Sequence, residues 1–421
     1  MSQEEIDVEL GVVDAPLRQG SASAASHRWR HMLSLDDFET AARSYLPRMI
    51  YGFISGAVET GTAQRLAASA YADYAFVPRA LRDVAVRDQG IDLFGHRYDV
   101  PFGIAPMGGS AIAAYCGDLA LAEAGARLNQ PMIMSASSLI PLEEVQSRHP
   151  HVWFQAYLAG DRGRIGRMVE RVARAGCKTL VVTIDAPVPG NRENNVRNGY
   201  SMPIRITPRV ALDCAMHPRW LVGTLIRTFL NRGIPHFENM DAERGPPMFS
   251  RSLGRNFSDR DRFSWDHVRA IREQWQGNLV LKGVLSLDDA VLAREAGVDG
   301  IILSSHGGRQ LDYAVPPLHV LPRIRAALPA MSIIIDGGIR RGSDVLKAMA
   351  LGADAVLVGR PYLYAAALGQ AEAAAHASEI LKSEIDRNMA LLGLNRLADL
   401  TADYLAPSRR SGHPLEGEGH Q

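Results

Sequence analysis

Short apolar runs alternate with amphipathic stretches from Val100 onward. The apolar runs have the length of strands and are rich in Val, Ile and Leu, which is typical of strands buried on both faces. The amphipathic stretches repeat their apolar residues at helical spacing. The pattern predicts strands near Phe102–Pro106, Pro131–Ser135, Val152–Tyr157, Thr179–Asp185, Asn278–Gly283, Gly300–Ser304, Ser332–Asp336 and Ala353–Gly359.

This alternation of strands and helices predicts a parallel sheet of the α/β class. Eight such units predict a closed (βα)8 barrel, the TIM-barrel fold. An open, doubly wound sheet is the alternative, but the Gly-x-Gly-x-x-Gly sequence typical of its first turn is absent after the first predicted strand. Helix-forming sequence follows most strands, at Gly117–Ala126, Arg164–Ala175, Leu287–Glu295 and Asp344–Leu351.

The segments that flank the barrel are predicted from capping signals and composition. Ser34 is a predicted helix N-cap, and Pro47 ends or bends the helix that follows. A second short helix is predicted from Arg48 to about Ser55, and residues 57–98 are predicted to form a cap with one helix and short strands. The predicted organisation is a disordered tail at 1–33, a single domain at 34–406 and a disordered tail at 407–421.

One interval is much longer than the others, because residues 186–264 separate the fourth predicted strand from the next helix. Insertions of this length are usually lids or interaction segments. Within it, residues 220–230 form a basic, amphipathic stretch that suits either a membrane surface or packing on the barrel or on a neighbouring subunit. We favour packing, because most apolar helical stripes belong to a protein core.

Composition and charge mainly exclude functions. The chain has 421 residues, 47% of them apolar, and 46 basic residues balance 46 acidic ones, so nothing in the net charge indicates a nucleic-acid partner. The three cysteines are far apart and form no Cys-x-x-Cys pair, which argues against a disulfide framework or a metal site. No secretory signal or membrane-spanning run is predicted. We expect a cytoplasmic protein, with peripheral contact at the inner face of the cell membrane as the alternative.

The most unusual stretch follows the sixth predicted strand, where His306 and Arg309 flank two glycines. The glycines allow a sharp turn, and the turn places an imidazole and a guanidinium together at the end of a rigid strand. A base beside a fixed cation suits removal of a proton from an acid whose carboxylate the cation holds. A surface loop is the alternative, but similar polar clusters end the other predicted strands.

In a barrel of this kind, the carboxyl ends of all strands lie on one face, where the chemistry takes place. The last two strand ends combine glycine turns with Arg340 and Arg360, which suits a cradle for a phosphate group. A phosphate site on one side and a base at the centre leave room for a flat cofactor between them. The predicted rim of that cofactor consists of Ser135, Gln155, Thr183 and Lys282.

These motifs resemble the FMN-dependent α-hydroxy-acid dehydrogenase and oxidase family, which includes glycolate oxidase and the lactate and mandelate dehydrogenases. The resemblance covers roughly residues 35–406 and rests on Ser-His-Gly-Gly-Arg-Gln-Leu-Asp at 305–312 and on Asp-Gly-Gly-Ile-Arg-Arg-Gly at 336–342, followed by Gly-Arg-Pro at 359–361. The insertion, with His-Pro-Arg-Trp at 217–220, resembles that of bacterial L-lactate dehydrogenases linked to the respiratory chain. The resemblance implies FMN as the cofactor and a homotetramer.

The resemblance also implies a role for the polar residues at the strand ends. His306 would be the active-site base, and Asp185 would stabilise its imidazolium form. Arg309 would hold the substrate carboxylate, with Arg192 as a second cation and Tyr157 as a hydrogen-bonding partner of the substrate. The implied flavin site consists of Lys282, which would stabilise negative charge on the reduced cofactor, and of Pro106, Met107, Gly108, Ser135, Gln155, Thr183, Ser304, Asp336, Gly337, Gly338, Arg340, Gly359 and Arg360.

The implied reaction is oxidation of an L-2-hydroxy acid to the 2-oxo acid, with two electrons passing to FMN and then to a quinone, a cytochrome or dioxygen. Gly108 favours a quinone or protein acceptor, because in this family a glycine there accompanies dehydrogenases and an alanine accompanies oxidases. Two routes stay open for the substrate. Either His306 removes the α-proton to leave a carbanion, or it removes the hydroxyl proton while a hydride moves.

Two positions depart from the family pattern. Phe53 stands where most members carry a tyrosine that shares the substrate carboxylate, and Ser137 stands where glycolate oxidase has a tryptophan over the substrate. Both changes favour a bulky or aromatic 2-hydroxy acid, because the pocket becomes more apolar and roomier. Phe53 also fits a helical apolar stripe, so a purely structural role is the alternative.

Two rival functions stay open. Lys282 alone is compatible with Schiff-base chemistry in a barrel lyase, with the cradle holding a substrate phosphate. That hypothesis leaves His306, Asp185 and Gln155 without a role, and it predicts a colourless protein. The second rival is a flavin-binding protein without catalysis, which would be yellow but never bleached by a hydroxy acid.

Overall fold

Eight parallel strands form one sheet that curls into a barrel, which confirms the predicted α/β TIM-barrel fold. The computed structural model describes residues 28–202, 204–250 and 259–408. The two end strands of the sheet meet where the Ile104 N–H donates to the Pro131 oxygen at 2.8 Å. The barrel strands are β4 (Phe102–Ile104), β5 (Ile133–Ser135), β6 (Trp153–Ala156), β7 (Thr179–Thr183), β8 (Asn278–Val284), β9 (Gly300–Leu303), β10 (Ser332–Asp336) and β11 (Ala355–Val358).

Helices cover the outside of the barrel, and the strands are therefore buried on both faces. Ile301, Ile302 and Leu303 of β9 are fully buried, as are Ile334 and Ile335 of β10. These strands are rigid supports for the polar residues that follow them. The helices between the barrel strands are α4 (Ser110–Ala113), α5 (Gly117–Arg127), α6 (Leu142–Arg148), α7 (Arg162–Arg174), α12 (Trp265–Gln274), α13 (Leu287–Glu295), α14 (Pro317–Ala327) and α15 (Gly342–Ala350), and α16 (Arg360–Leu392) follows the last strand.

The N-terminal cap lies across the carboxyl ends of the barrel strands. Ser34 is the N-cap of the first helix, as predicted, and its N–H donates to the Asp37 carboxylate at 2.9 Å. The cap docks on the turn after β9, because the Val58 N–H donates to the Gly308 oxygen at 2.9 Å. The cap elements are α1 (Leu35–Tyr45), α2 (Arg48–Ser55), α3 (Thr62–Ser69), β1 (Tyr74–Phe76), β2 (Ile91–Leu93) and β3 (His96–Tyr98).

Both predicted tails reach into the fold at their inner ends. Arg28–His31 forms a 3-10 helix, and the Trp29 ring lies 5.5 Å from the His376 ring of α16. At the other end, Pro407 belongs to β12 (Leu405–Pro407), which pairs with β1. An indole at one end and strand pairing at the other therefore hold the residues next to the predicted boundaries at 33 and 407 against the domain. The remainder of both predicted tails lies outside the described residues.

The insertion between β7 and α12 contains four short helices, α8 (Glu193–Arg197), α9 (Pro208–Ala215), α10 (Pro218–Trp220) and α11 (Arg227–Arg232), with a π-helical turn at Leu221–Ile226. Trp220 is 1% exposed, and its indole N–H donates to the Ile112 oxygen at 3.0 Å. The predicted packing of this stretch on its own barrel is therefore confirmed for one face. The other face exposes Val222 and Leu230. None of the helices in the described ranges is long and apolar enough to cross a membrane.

Candidate active site

The carboxyl ends of the barrel strands surround a cavity of about 800 Å³ that the cap and the insertion also line. A volume of this size is ordinary for a cofactor site. Asp185 adjoins it through its contact with His306. Ser135, Gln155 and Ser304 are buried behind its surface. The predicted site residues that line it are Phe53, Pro106, Met107, Gly108, Tyr157, Thr183, Arg192, Lys282, His306, Arg309, Asp336, Gly337, Gly338, Arg340, Gly359 and Arg360.

His306 lies in a tight turn directly after β9, with φ at +55°. That backbone conformation costs a non-glycine residue roughly 1 kcal/mol or more, and such outliers cluster at functional sites. The turn is held because the His306 N–H donates to the Ser304 hydroxyl at 2.9 Å. The strain is therefore part of the arrangement that directs the imidazole into the cavity.

The His306 ring has a partner at each nitrogen. Its Nδ1 lies 2.9 Å from the Asp185 carboxylate, and its Nε2 lies 3.3 Å from the Tyr157 hydroxyl. With Nδ1–H donating to Asp185, the Nε2 lone pair faces the cavity. Burial opposes ionisation of Asp185, but the charges of His306 and Lys282 outweigh it and lower the pKa of the Asp185 carboxyl. The ionised Asp185 carboxylate therefore holds the ring at Nδ1 and leaves Nε2 as the nitrogen that can accept a proton.

Arg309 and Arg192 form a pair of guanidinium groups that line the cavity together with His306. One Arg309 nitrogen, Nη1, donates to the Phe53 and Gly56 oxygens at the end of α2, at 2.7 and 2.8 Å. Arg192 donates through Nε to the Arg309 carbonyl oxygen at 3.1 Å and through Nη2 to the Gln310 side chain at 2.7 Å. Within the described ranges, neither guanidinium forms an ion pair with a carboxylate.

The positive charges of Arg309 and Arg192 are therefore not balanced by a carboxylate of the described residues. Burial, together with the positive charges of Arg192 and Arg360, lowers the pKa of Arg309 to about 9. A shift in this direction means that the protonated guanidinium is destabilised in the free protein. A bound anion would reverse that effect, and the planar fork of arginine matches a carboxylate.

Lys282 lies in a different electrostatic environment on β8. Its ammonium group is 2.8 Å from the Asp336 carboxylate and 2.8 Å from the Ser304 hydroxyl. Burial alone would lower the pKa of Lys282, but the carboxylates of Asp336 and Asp185 outweigh burial and raise it. Lys282 is therefore protonated at neutral pH, which contradicts the rival hypothesis of a Schiff-base lysine, because that chemistry needs a neutral amine.

Several buried polar atoms beside the cavity lack a hydrogen-bond partner within the described residues: Gln155 Nε2, Thr183 Oγ1 and Asp336 Oδ1. Such atoms are costly unless a ligand or water satisfies them. Next to them, Gly337 and Gly338 both have positive φ, which exposes backbone N–H groups after β10. A donor, a hydroxyl and exposed N–H groups in this order fit the polar edge and the phosphorylated chain of FMN.

The two arginines of the predicted phosphate cradle are partly engaged by the protein. Arg340 lies 3.4 Å from Asp36 and 3.6 Å from Glu39, both on α1. Arg360 donates to the oxygens of Ile54, Gly56 and Gly307 at 2.8 to 3.0 Å. Both remain on the cavity wall, so each adds positive charge at the place predicted for a phosphate.

Three residues of the site were missed by the sequence analysis as functional candidates. Gln310 accepts from Arg192 and donates to the Asp185 carbonyl oxygen at 3.2 Å, so it connects Arg192 to the residue that contacts the His306 ring. Arg260 lies over the Tyr157 ring at 4.5 Å, and Tyr200 stacks on Phe53 at 4.4 Å. Gln310 belongs to the motif already singled out. Arg260 and Tyr200 lie in the insertion, where no pattern indicated chemistry.

Comparisons with known proteins agree with this geometry. A model of the FMN-dependent dehydrogenase family matches residues 42–407. The chain is 37% identical to a putative L-lactate dehydrogenase of Mycobacterium tuberculosis, over 90% of each protein. It is 33% identical to the (S)-mandelate dehydrogenase of Pseudomonas putida, over 89% of this chain and 94% of that protein.

Among solved structures, the monotopic membrane protein (S)-mandelate dehydrogenase superposes with a TM-score of 0.81 at 32% identity, covering 90% of this chain and 100% of that one. A mandelate oxidase variant superposes with a TM-score of 0.73 at 33% identity, covering 90% of this chain and 98% of that one. The matches extend over the barrel and the cap. The chain therefore belongs to the FMN-dependent dehydrogenase family, with FMN as its cofactor.

Proposed function

We propose that this enzyme oxidises a 2-hydroxy acid of L configuration to the 2-oxo acid. The proposal rests on two features that line the same cavity. His306 contacts the Asp185 carboxylate, and the guanidinium groups of Arg309 and Arg192 have no carboxylate partner among the described residues. A 2-hydroxy acid offers both groups that such a site needs. Its carboxylate balances the arginines, and its carbinol carries the proton for the base.

In this proposal, Arg309 and Arg192 bind and orient the substrate carboxylate. His306 Nε2 accepts a proton from the substrate, and Asp185 holds the ring by Nδ1 and stabilises the imidazolium that forms. Tyr157, at 3.3 Å from Nε2, hydrogen-bonds the substrate oxygen beside the base. FMN, when bound, accepts the two electrons that leave the substrate.

The proposed flavin contacts come from both walls of the cavity. Lys282 supplies a fixed positive charge that its pair with Asp336 keeps in place. Gln155 and Thr183 offer the unpaired atoms described above to the edge of the ring. The turn at 336–340, with Gly359 and Arg360, holds the chain and the phosphate. Pro106, Met107, Gly108, Ser135 and Ser304 complete the proposed site, the first three on the cavity wall and the last two behind it.

We propose a substrate side chain larger than a methyl group. Phe53 lines the cavity, so its position in the apolar stripe does not remove it from the site. Phe237, Met248 and Ile112 add apolar wall, and Ser137 leaves space where glycolate oxidase is expected to carry an indole. Lactate is the second candidate, because relatives at 36 and 37% identity are named L-lactate dehydrogenases.

Anaerobic bleaching of the purified flavoprotein tests the proposal. We expect mandelate to reduce the flavin with a higher kcat/KM than lactate, and lactate with a higher value than glycolate. The three acids share the carboxylate and differ in the group on the α-carbon, so their ranking reports the side-chain pocket together with the reactivity of the α-carbon. A yellow protein that no acid bleaches would instead support a flavin-binding protein without catalysis. A preference for glycolate would contradict the larger pocket.

We also propose that the electrons pass on to a quinone or a protein acceptor faster than to dioxygen. Gly108 lies so close to Ser137 that a Cβ added at Gly108 would lie 2.7 Å from the Ser137 Cβ. An alanine at this position therefore requires Ser137 to move, and the wall of the cavity beside the flavin changes shape. Gly108→Ala should increase peroxide release in air relative to reduction of an artificial quinone. Wild-type protein that already releases peroxide at the artificial-acceptor rate would contradict the proposal.

We propose that the insertion contacts a membrane surface and that the electron acceptor lies in that membrane. Val222, Ile226 and Leu230 are exposed on the outer face of the stretch 218–232, with Arg219 beside them. A solved relative is named a monotopic membrane protein. Co-sedimentation with vesicles containing anionic lipid should be lost in Leu230→Glu and retained in Leu391→Glu, which changes an exposed leucine of α16. Equal binding by both variants would contradict this contact.

A further inference from the structure

The aromatic pair of Phe53 and Tyr200 forms part of the cavity wall next to the arginines. The two rings stack with centroids 4.4 Å apart and planes inclined by 21°. The Arg309 guanidinium lies 5.0 Å from the Phe53 ring centre. Phe53 has no polar atom on its side chain, so its neighbour Tyr200 carries the one hydroxyl of this pair.

Tyr200 is fixed in place although it belongs to the long insertion. Asn194 of α8 donates to the Gly52 oxygen on α2 at 2.6 Å, and Asn198 donates to the Asn194 oxygen at 2.8 Å. The Tyr200 N–H then donates to the Asn195 oxygen at 2.8 Å. This docking joins the segment 192–200 to α2, which carries Phe53. The two rings therefore stack within a contact that these hydrogen bonds hold in place.

Among the described residues, the Tyr200 hydroxyl has one weak hydrogen-bond partner. The residue is 6% exposed, and the hydrogen bond described for its hydroxyl goes to the Met202 sulfur at 3.6 Å, a weak acceptor. Burial raises the pKa of Tyr200 to about 12, against the opposing charges of Arg309 and Arg192. The phenol is thus a neutral donor at physiological pH. It lies close enough to both guanidinium groups for their charges to act on its pKa.

We propose that Tyr200 donates a hydrogen bond to the substrate carboxylate and so supplies, from the insertion, the hydroxyl that Phe53 lacks. The proposal rests on the proposed function, because it concerns the same carboxylate. The anion is then held by Arg309 of the barrel and by Arg192 and Tyr200 of the segment 192–200. Substrate binding thereby depends on the docking of that segment on α2.

The test is a Tyr200→Phe variant of the FMN-loaded enzyme, with Phe53→Tyr/Tyr200→Phe as its rescue. A hydrogen bond to a charged group makes a difference of about tenfold to a hundredfold in affinity. We expect Tyr200→Phe to raise the KM for the 2-hydroxy acid, and the dissociation constants of benzoylformate and pyruvate, by that factor. Flavin absorbance reports the binding of the two 2-oxo acids without turnover. In the double variant, the hydroxyl returns on the neighbouring ring, and both constants should fall to within about threefold of wild type.

Tyr98→Phe is the matched control, because Tyr98 is 1% exposed in the β3 strand and its hydroxyl accepts from Trp153. It removes a buried phenol outside the cavity, so a general loss of packing would appear there as well. Wild-type constants in Tyr200→Phe, or a loss that Phe53→Tyr does not reduce, would overturn the assignment. Failure of the proposed function is distinguishable, because wild-type enzyme would then not be bleached by any 2-hydroxy acid.

Discussion

The two sides of the cavity hold their positive charges in different ways. On one side, the Lys282 ammonium lies 2.8 Å from the Asp336 carboxylate, and both side chains are buried. On the other side, Arg309 and Arg192 hydrogen-bond to carbonyl and amide oxygens and have no carboxylate partner in the described part of the chain. The protein itself balances the first charge, whereas no carboxylate of the described residues balances the second pair.

In the proposed function, this difference separates the residues proposed to contact the cofactor from the residues proposed to bind the substrate. A buried charge costs several kcal/mol unless a partner offsets it. Lys282 has its partner before any ligand arrives, whereas burial and the neighbouring cations lower the pKa of Arg309. A carboxylate that binds there removes a repulsion already present in the free protein. His306 lies between the two sides, where the acid's carbinol would be held.

The largest expected effect comes from removing His306, the proposed base, from between the two sides. His306→Gln should bind FMN as wild type does, because the flavin contacts lie on other strands. Its rate of flavin reduction by substrate should fall by roughly two to four orders of magnitude. Anaerobic stopped-flow absorbance measures both the flavin content and the rate. Near wild-type bleaching in this variant would exclude His306 as the base.

Breaking the ion pair of Lys282 and Asp336 should destabilise the fold itself. Lys282→Met leaves the Asp336 carboxylate buried without its cation, and removal of one partner of a buried pair typically costs about 3–5 kcal/mol. Urea unfolding, with and without added FMN, measures the loss. The double variant Lys282→Met/Asp336→Asn should recover most of the stability, since no unpaired charge is left. Equal stability of the single and double variants would mean that the pair is not the cause.

Removing a charge from the unbalanced side should weaken ligand binding instead. Truncating one member of a buried charge pair costs roughly 2–5 kcal/mol of binding energy. Arg309→Met should therefore raise the dissociation constant of the 2-oxo acid by about thirtyfold to several thousandfold. The dissociation constant for Arg309→Lys should lie between those of wild type and Arg309→Met, because lysine keeps the charge and loses the planar fork. Flavin content is the control for folding, and an unchanged dissociation constant in Arg309→Met would place the carboxylate elsewhere.

A third buried ionisable group, Asp118, has no cation partner among the described residues. It accepts a hydrogen bond from Ser110 at 2.5 Å, and burial raises the pKa of Asp118 from 3.8 to about 6. Because the folded state holds this proton more tightly, its contribution to stability is present below 3.8 and is lost as the pH rises through about 6. The loss amounts to at most about 3 kcal/mol.

Asp118→Asn should remove this dependence. The difference in unfolding free energy between wild type and variant should change across the window from 3.8 to about 6 and be constant above it. Urea titrations at several pH values measure the difference. A constant difference throughout the window would show that Asp118 does not hold a proton in the folded protein.

Much of the site could be predicted, because the residues that begin a turn after a buried strand are readable from the pattern. The spacing placed His306 and Arg309 after the sixth strand and Lys282 inside the fifth, and the structure has them there. What the pattern could not predict is the balance of charge. The resemblance implied Asp336 only as one of the flavin-site residues, and the structure pairs its carboxylate with Lys282. That pairing depends on two strands that are not neighbours in the chain.

The sequence by itself determined the barrel and the set of polar residues at the carboxyl ends of its strands. Strand and helix periods are local properties, and the closure of a parallel sheet brings every strand end to the same side. Only the tertiary structure decided which of these residues meet. Tyr200 reaches Phe53, and Gln310 joins Arg192 to Asp185, through contacts between segments far apart in the chain. Such contacts are set by how the insertion and the cap pack on the barrel, and no local pattern encodes that packing.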